Sequence, residues 1–177
     1  MAKTEGEHIV ESFPPVAEKD ARILILGSMP SLASLRAEQY YAHPQNLFWK
    51  ILGEALGFDP RAEYSERIAS LQAHQIAVWD VLARCHRPGS LDADIDAASA
   101  IPNDLPGFLA IHPHIQRICF NGAAAAQLFQ RHIQPQLSHP GIEYLRLPST
   151  SPANASIPVA EKKNTWATAL KIPESDH

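Results

Sequence analysis

Three stretches of the sequence carry residues able to do chemistry. In Gly27-Ser28-Met29-Pro30-Ser31, a glycine tolerates backbone angles closed to other residues, and the N–H groups beyond it can cradle an anion or a carbonyl oxygen. The segment Tyr40-Tyr41-Ala42-His43-Pro44-Gln45-Asn46-Leu47-Phe48-Trp49 offers aromatic faces on which a planar ring stacks. It also holds Asn46, whose amide both donates and accepts. Asn46 directly precedes an apolar run, where Asn is equally a favoured helix N-cap, so capping and ligand holding stand side by side. Pro148-Ser149-Thr150-Ser151-Pro152-Ala153-Asn154-Ala155 gathers hydroxyls and an amide suited to phosphate groups. The same loop is also readable as a Pro-stiffened turn with a Ser cap.

Other chemistries find less support. The glycine turn matches neither GxGxxG nor GxxxxGK[ST], so dinucleotide and P-loop readings fail. No GxSxG elbow surrounds the loop serines, and His139 is a weak candidate partner for them. Cys85 and Cys119 are too far apart and too few for a zinc or iron–sulfur site. His112-Pro113-His114 has ligand-like spacing but no neighbouring carboxylate or thiol. Cys85 and His86 are adjacent on an extended stretch and point to opposite faces. Asp80, after Trp79, reads either as an acid–base group or as a cap of the next turn.

The chemistry-bearing stretches need elements to position them. Arg22–Leu26 is a short apolar run ending at Gly27, which fits a buried strand. Ile76–Val81, Ile115–Phe120 and Ile142–Leu147 read as three more. Helical spacing is expected in a short turn at 32–39, then at 47–56 with Gly57 as a stop, and at 62–73. It is expected again at 103–110, Ala123–Ile133 and about 158–171. Residues 1–20 read as a polar lead-in, 82–99 as a long polar loop and 172–177 as a tail. Strands alternating with helices predict a parallel sheet covered on both faces. The site then belongs on the loops after the strand C-termini: 27–46, 82–99, Asn121-Gly122 and 148–155.

The chain has 177 residues, which suits one domain, and 45% are apolar. Its formal net charge of −4 speaks against a broadly basic nucleic-acid surface. Arg84, His86 and Arg87, and the pair Lys162 and Lys163, are local basic clusters that read as solvated surface. The N-terminus lacks the apolar run of a signal peptide, and no apolar run nears the length of a membrane span. The expectation is a cytoplasmic protein with two reduced thiols.

Order and spacing narrow the reading further. Gly27-Ser28-Met29-Pro30-Ser31, followed by Tyr41-Ala42-His43-Pro44-Gln45-Asn46-Leu47-Phe48-Trp49-Lys50, resembles the first motif of the mismatch-specific uracil-DNA glycosylases. That motif is a GxNPG turn, then an aromatic residue and AHPxNxFWK. Leu147–Ala155 lies where the second motif belongs, with Trp79-Asp80-Val81 and Phe120-Asn121-Gly122 in the expected order between them. The GSMPS form is closer to the hypoxanthine-DNA glycosylase branch of the same superfamily.

This resemblance, over about residues 22–170, implies a single-domain three-layer α/β/α sandwich with a four-stranded parallel sheet and a DNA groove at the strand C-termini. It implies a monofunctional glycosylase that rotates a deaminated base out of damaged DNA and hydrolyses its N-glycosidic bond in base excision repair. The base would be hypoxanthine, or uracil or xanthine. The enzyme would act as a monomer, in the cytoplasm of a bacterial or archaeal cell, with no metal and no cofactor. Asn46 is implied as catalytic. Gly27, Ser28, Met29, Tyr41 and Asn121 are implied around the base, and Ser149, Thr150, Ser151 and Asn154 on the DNA. Met29 stands where the mismatch-specific enzymes place a water-holding Asn, and Ala153 where a large wedge is usual; the second-motif His of the main uracil enzymes is absent. A mismatch-specific (G:U or G:T) enzyme, a small-nucleotide hydrolase on the same fold and a catalytically silent lesion-binding module are the alternatives.

Overall fold

In the computed structural model, residues 8–138 and 141–172 are described. The first seven residues of the lead-in, His139, and 173–177 of the expected tail lie outside that range. The strands are β1 (Ile9–Glu11), β2 (Ile23–Gly27), β3 (Ile76–Asp80), β4 (Leu82–His86), β5 (Ile101–Pro102), β6 (Arg117–Asn121) and β7 (Glu143–Leu147). The helices are α1 (Leu32–Ala37), α2 (Phe48–Leu56), α3 (Tyr64–Ala73), α4 (Leu105–Ile111), α5 (Ala123–His132) and α6 (Val159–Ala169).

The apolar runs form the sheet they predict. Strands pair in the order β3-β2-β6-β7, all parallel. Every residue of β2 and of β3 is buried, as strands covered on both faces must be. Side chains alternate across a strand, so Leu24 and Leu26 enter one core while Ile23 and Ile25 enter the other. The first core is closed by Leu105, Phe108 and Leu109 of α4 and by Ala125 and Phe129 of α5. The second is closed by Phe48, Trp49 and Leu52 of α2, Leu71 of α3 and Trp166 of α6. These are the three layers of the expected α/β/α sandwich.

Two segments differ from the expectation. The polar lead-in contains β1, and the supposed loop 82–99 opens with β4. With β5 they form a second, antiparallel sheet in the order β1-β4-β5. Short antiparallel strands with one face in solvent carry polar residues on that face, so their composition reads as loop. The mixed burial of Leu82-Ala83-Arg84-Cys85-His86 is of this kind, with Leu82 and Cys85 buried and Arg84 exposed. Among the described residues no helix is long and apolar enough to cross a membrane, and Cys85 and Cys119 are free and buried.

Candidate active site at the C-terminal edge of the sheet

Parallel strands bring all their C-terminal ends to one edge, and there the chain opens a cleft of about 950 Å³. Its walls come from the loops after β2, β3, β6 and β7 and from the segment before α2. Gly27, Ser28, Met29, Tyr41, Asn46, Asn121, Ser149, Ser151 and Asn154 all border it.

Gly27 closes β2 opposite Asp80 of β3. A Cβ on Gly27 would lie 2.6 Å from Asp80 Oδ1 and 3.1 Å from the Tyr41 hydroxyl oxygen. The glycine is therefore required by close approach and not, as its type alone suggests, by an unusual backbone angle, since its φ is outside the left-handed region. Beyond it, Ser28 and Met29 are nearly buried. The Ser28 hydroxyl donates to Asp92 Oδ1. Ser31 caps α1 by accepting from Ser34 N at 3.1 Å. Ser34 Oγ in turn accepts from Ala42 N at 3.1 Å, so α1 holds the Tyr41–Asn46 segment.

Tyr41 sits at φ 54°, a strained angle for a bulky residue. One face of its ring lies on Phe48, with centroids 3.9 Å apart and planes inclined by 20°. Asn46 stands one residue before Leu47, the N-cap of α2, and supports the helix start from there: its Oδ1 accepts from Phe48 N at 2.9 Å. That leaves the amide's Nδ2 hydrogens for a ligand in the cleft. Asn121 is less free than expected. Its Oδ1 accepts from Thr150 N at 2.9 Å, and its Nδ2 donates to Thr150 Oγ1 at 2.9 Å.

Thr150, expected on DNA, belongs to the cleft lining but is fully buried in the unbound protein, and its carbonyl accepts from Leu47 N at 3.0 Å. It ties the closing loop to Asn121 of β6 and to Leu47 at the start of α2. Ser149, Ser151 and Asn154 remain half-exposed around it. Next door, Gly122 lies at φ 96°, and a Cβ there would meet Ser149 Cβ at 3.0 Å.

Two basic residues read as surface are internal struts. Arg87 is 1% exposed; its guanidinium donates to Pro30 O and Gly89 O, each at 2.6 Å. Lys162 is 2% exposed, and its ammonium donates to Ser149 O at 2.9 Å and to Asn154 O. Burial lowers the Lys162 pKa. Lys163, by contrast, pairs at the surface with Glu54. Trp166 Nε1 adds a third tie, to Pro148 O at 2.9 Å.

The reading of single residues missed Asp92, Leu91 and the full setting of Asp80. Leu91 is 52% exposed at the rim of the cleft. Asp80 is 3% exposed and borders the cleft, and its carboxyl caps no turn. Burial raises its pKa to about 7, with the Asp92 charge adding to the rise and Arg87 opposing it. A signal was present, since an Asp closing a fully apolar strand is out of place unless it is used. Among the described residues no group of three or more His, Cys, Asp or Glu is placed to hold a metal ion.

An α/β/α sandwich with a donor-lined cleft at its strand ends defines an enzyme class that several comparisons then specify. The profile of the uracil DNA glycosylase superfamily matches residues 14–170. A hypoxanthine DNA glycosylase from Methanosarcina acetivorans is 37% identical over 147 residues, which are 82% of this chain and 89% of the relative. One from Methanosarcina barkeri is 34% identical over 162 residues, 91% of this chain and 98% of the relative. The solution NMR structure of a uracil DNA glycosylase candidate from Methanosarcina acetivorans superposes with a TM-score of 0.76 at 33% identity. It covers 92% of this chain and 96% of that one. The chain belongs to the uracil DNA glycosylase superfamily.

Proposed function

We propose that this chain excises deaminated bases, hypoxanthine first among them, from DNA, as a monomer and without metal or cofactor. It is a DNA N-glycosylase, and two of its relatives bear the name hypoxanthine DNA glycosylase. The observation that carries the substrate reading is convergence: Tyr41, Asn46, Asn121 and the Gly27–Met29 backbone, from separate segments, meet on one cleft. Hydrolysis of an N-glycosidic bond builds positive charge on the sugar and negative charge on the departing base. Fixed donors aimed at that base lower the barrier without reorganising. The Ser28 and Met29 N–H groups are assigned to the base carbonyl, and the Asn46 Nδ2 to the base edge or the attacking water. The Tyr41 ring, backed by Phe48, is a rigid wall for base stacking.

Ser149, Ser151 and Asn154 are assigned to phosphates beside the lesion. Leu91 is assigned to the hole left in the duplex, because it is the large apolar side chain standing free at the cleft rim where Ala153 is too small. Strand cleavage by a Schiff-base route needs a free amine. Lys162, the buried amine behind the closing loop, has its ammonium hydrogens on backbone carbonyls, so base removal leaves the strand whole.

The test is release of free base from duplexes carrying deoxyinosine, deoxyuridine, deoxyxanthosine or a G:T mismatch. Deoxyinosine is expected to react fastest, by at least about tenfold over deoxyuridine, a margin of 1.4 kcal/mol. Preference for deoxyuridine and G:T would make this a mismatch-type enzyme. Cleavage of free nucleosides but not DNA, or tight binding without release, would overturn the reading.

A further inference from the structure

The end of β3 sets a carboxyl group against the cleft with nothing to bind it. Asp80 is buried, and its Oδ2 has no hydrogen-bond partner. Asn103 Nδ2 takes the Asp80 backbone carbonyl, at 2.8 Å, and not the carboxyl. Gly27, directly across the register, has no side chain to cover it. The space a Cβ would occupy on Gly27 lies 2.6 Å from Asp80 Oδ1 and 3.1 Å from the Tyr41 hydroxyl oxygen, so both oxygens converge on one spot. The Tyr41 hydroxyl is also buried and makes no hydrogen bond of good geometry, although the Asn121 amide lies close enough to bear on it. Buried polar groups are nearly always bonded, and an exception calls for an explanation. The unbonded Oδ2 belongs to the same carboxyl whose Oδ1 meets the Tyr41 hydroxyl at that spot, and both residues border the cleft.

We propose that Asp80 is the general acid of this site, donating its proton to the N7 ring nitrogen of a departing purine, so that the reaction is matched to deaminated purines. This rests on the glycosylase reading above. In the step, the proton passes from the Asp80 carboxyl oxygen to N7. The C1′–N9 bond breaks, its electron pair stays with the base, and the base leaves neutral. A water oxygen bonds to C1′, and the proton that water loses returns the carboxylate to its acid form through solvent. The carboxyl is suited to this because burial, with the Asp92 charge, holds it protonated up to about neutral pH. The groups facing it are Asp92 from the turn after Leu91, Arg87 after β4, and Tyr40 and Tyr41 before α2. Burial raises both tyrosines well above their ordinary range, so neither titrates near neutrality.

The experiment is single-turnover release of hypoxanthine from a deoxyinosine duplex between about pH 5 and pH 9. The wild-type rate is expected to be level on the acid side and to fall above an inflection near 7. Asp80→Asn should be slower by about 100-fold or more at the acid end, with the limb gone. It should still bind a duplex carrying hydrolysis-resistant 2′-fluoro-2′-deoxyinosine as tightly as the wild type does, because its amide can donate where the acid did. Asp92→Asn removes a neighbouring like charge and should move the inflection to lower pH. If Asp80→Asn fails to fold, the wild-type and Asp92→Asn profiles decide. A wild-type profile without the limb, an Asp80→Asn variant that keeps the limb or the full rate, or loss of the limb in Asp92→Asn would overturn the role of Asp80 alone. Absence of hypoxanthine release at every pH would overturn the substrate reading on which it stands.

Discussion

Asn46 is proposed to do two things with one side chain. Its Oδ1 accepts from Phe48 N, the first amide of α2, and, since the residue borders the cleft, its Nδ2 is assigned to the ligand. Aspartate is as good a cap and nearly the same shape, but it only accepts, and its charge opposes an electron-rich leaving base. Asn46→Asp is therefore expected to keep the wild-type melting temperature and lose about 100-fold or more in single-turnover rate, the scale of one lost transition-state donor. An Asp variant with wild-type rate would leave Asn46 as a cap alone. Asp80 makes a second forecast, in stability. Its folded pKa of about 7 lies above the ordinary carboxylate value of 3.8, so between those values the native state binds more protons than the unfolded chain. Stability contributed by the neutral form is present at low pH and is lost as pH rises from about 4 towards 7. Asp80→Asn should melt higher than the wild type at pH 8, by up to roughly 4 kcal/mol in stability, and the gap should shrink at pH 5. Equal melting differences at both pH values would contradict a protonated Asp80. The single residues were unevenly legible. The placement of Asn46 and Tyr41 on the cleft follows from local sequence, whereas Arg87 and Lys162 looked like solvated charges. What buries them is a set of carbonyls at Pro30, Ser149 and Asn154, which no local pattern announces.

Two loops, one after β4 and one after β7, form opposite walls of the cleft, and each is held from behind. The closing loop hangs on Lys162, Trp166 and the Asn121–Thr150 pair. The loop carrying Leu91 is held by Arg87 on Pro30, by Ser90 Oγ accepting from Leu32 N at 2.9 Å, and by Asp92 on Ser28. A wedge works only if its base is rigid, and the loop proposed to supply one is braced on both sides of Leu91. Leu91→Ala is expected to slow excision from duplex deoxyinosine by about tenfold, with little effect on the same lesion in single-stranded DNA, where no stack has to be refilled. Equal loss on both substrates would remove the wedge assignment. The closing loop was visible in sequence because hydroxyls and prolines crowd it. The other was not, because its strand β4 and its internal ties lie in a run whose composition matches an ordinary solvated loop.

The parallel strands β2, β3 and β6 were readable as apolar runs because they are covered on both faces, the edge strand β7 by its Tyr144, Leu145 and Leu147, and the alternation of strands with helices then placed the cleft at one edge. The antiparallel sheet escaped because half of its surface meets water. Charge is the other whole-molecule property. At −4 overall, the molecule presents Arg146 on the cleft wall against Asp80, Asp92 and Glu161, so the proposed grip on DNA is one of neutral hydroxyl and amide donors. The slope of log affinity for a lesion duplex against log salt is accordingly expected to be shallow, about −1 to −3, where each phosphate neutralised contributes about −0.9. A slope beyond about −5 would mean a basic surface outside this cleft does the binding. The most direct measurement of the whole account is one single-turnover reaction on a deoxyinosine duplex with both products resolved. Free hypoxanthine should appear while the strand stays intact until alkali is added, and no borohydride-stable adduct should form. No release of hypoxanthine, or a strand broken at the lesion by the protein itself, would contradict it.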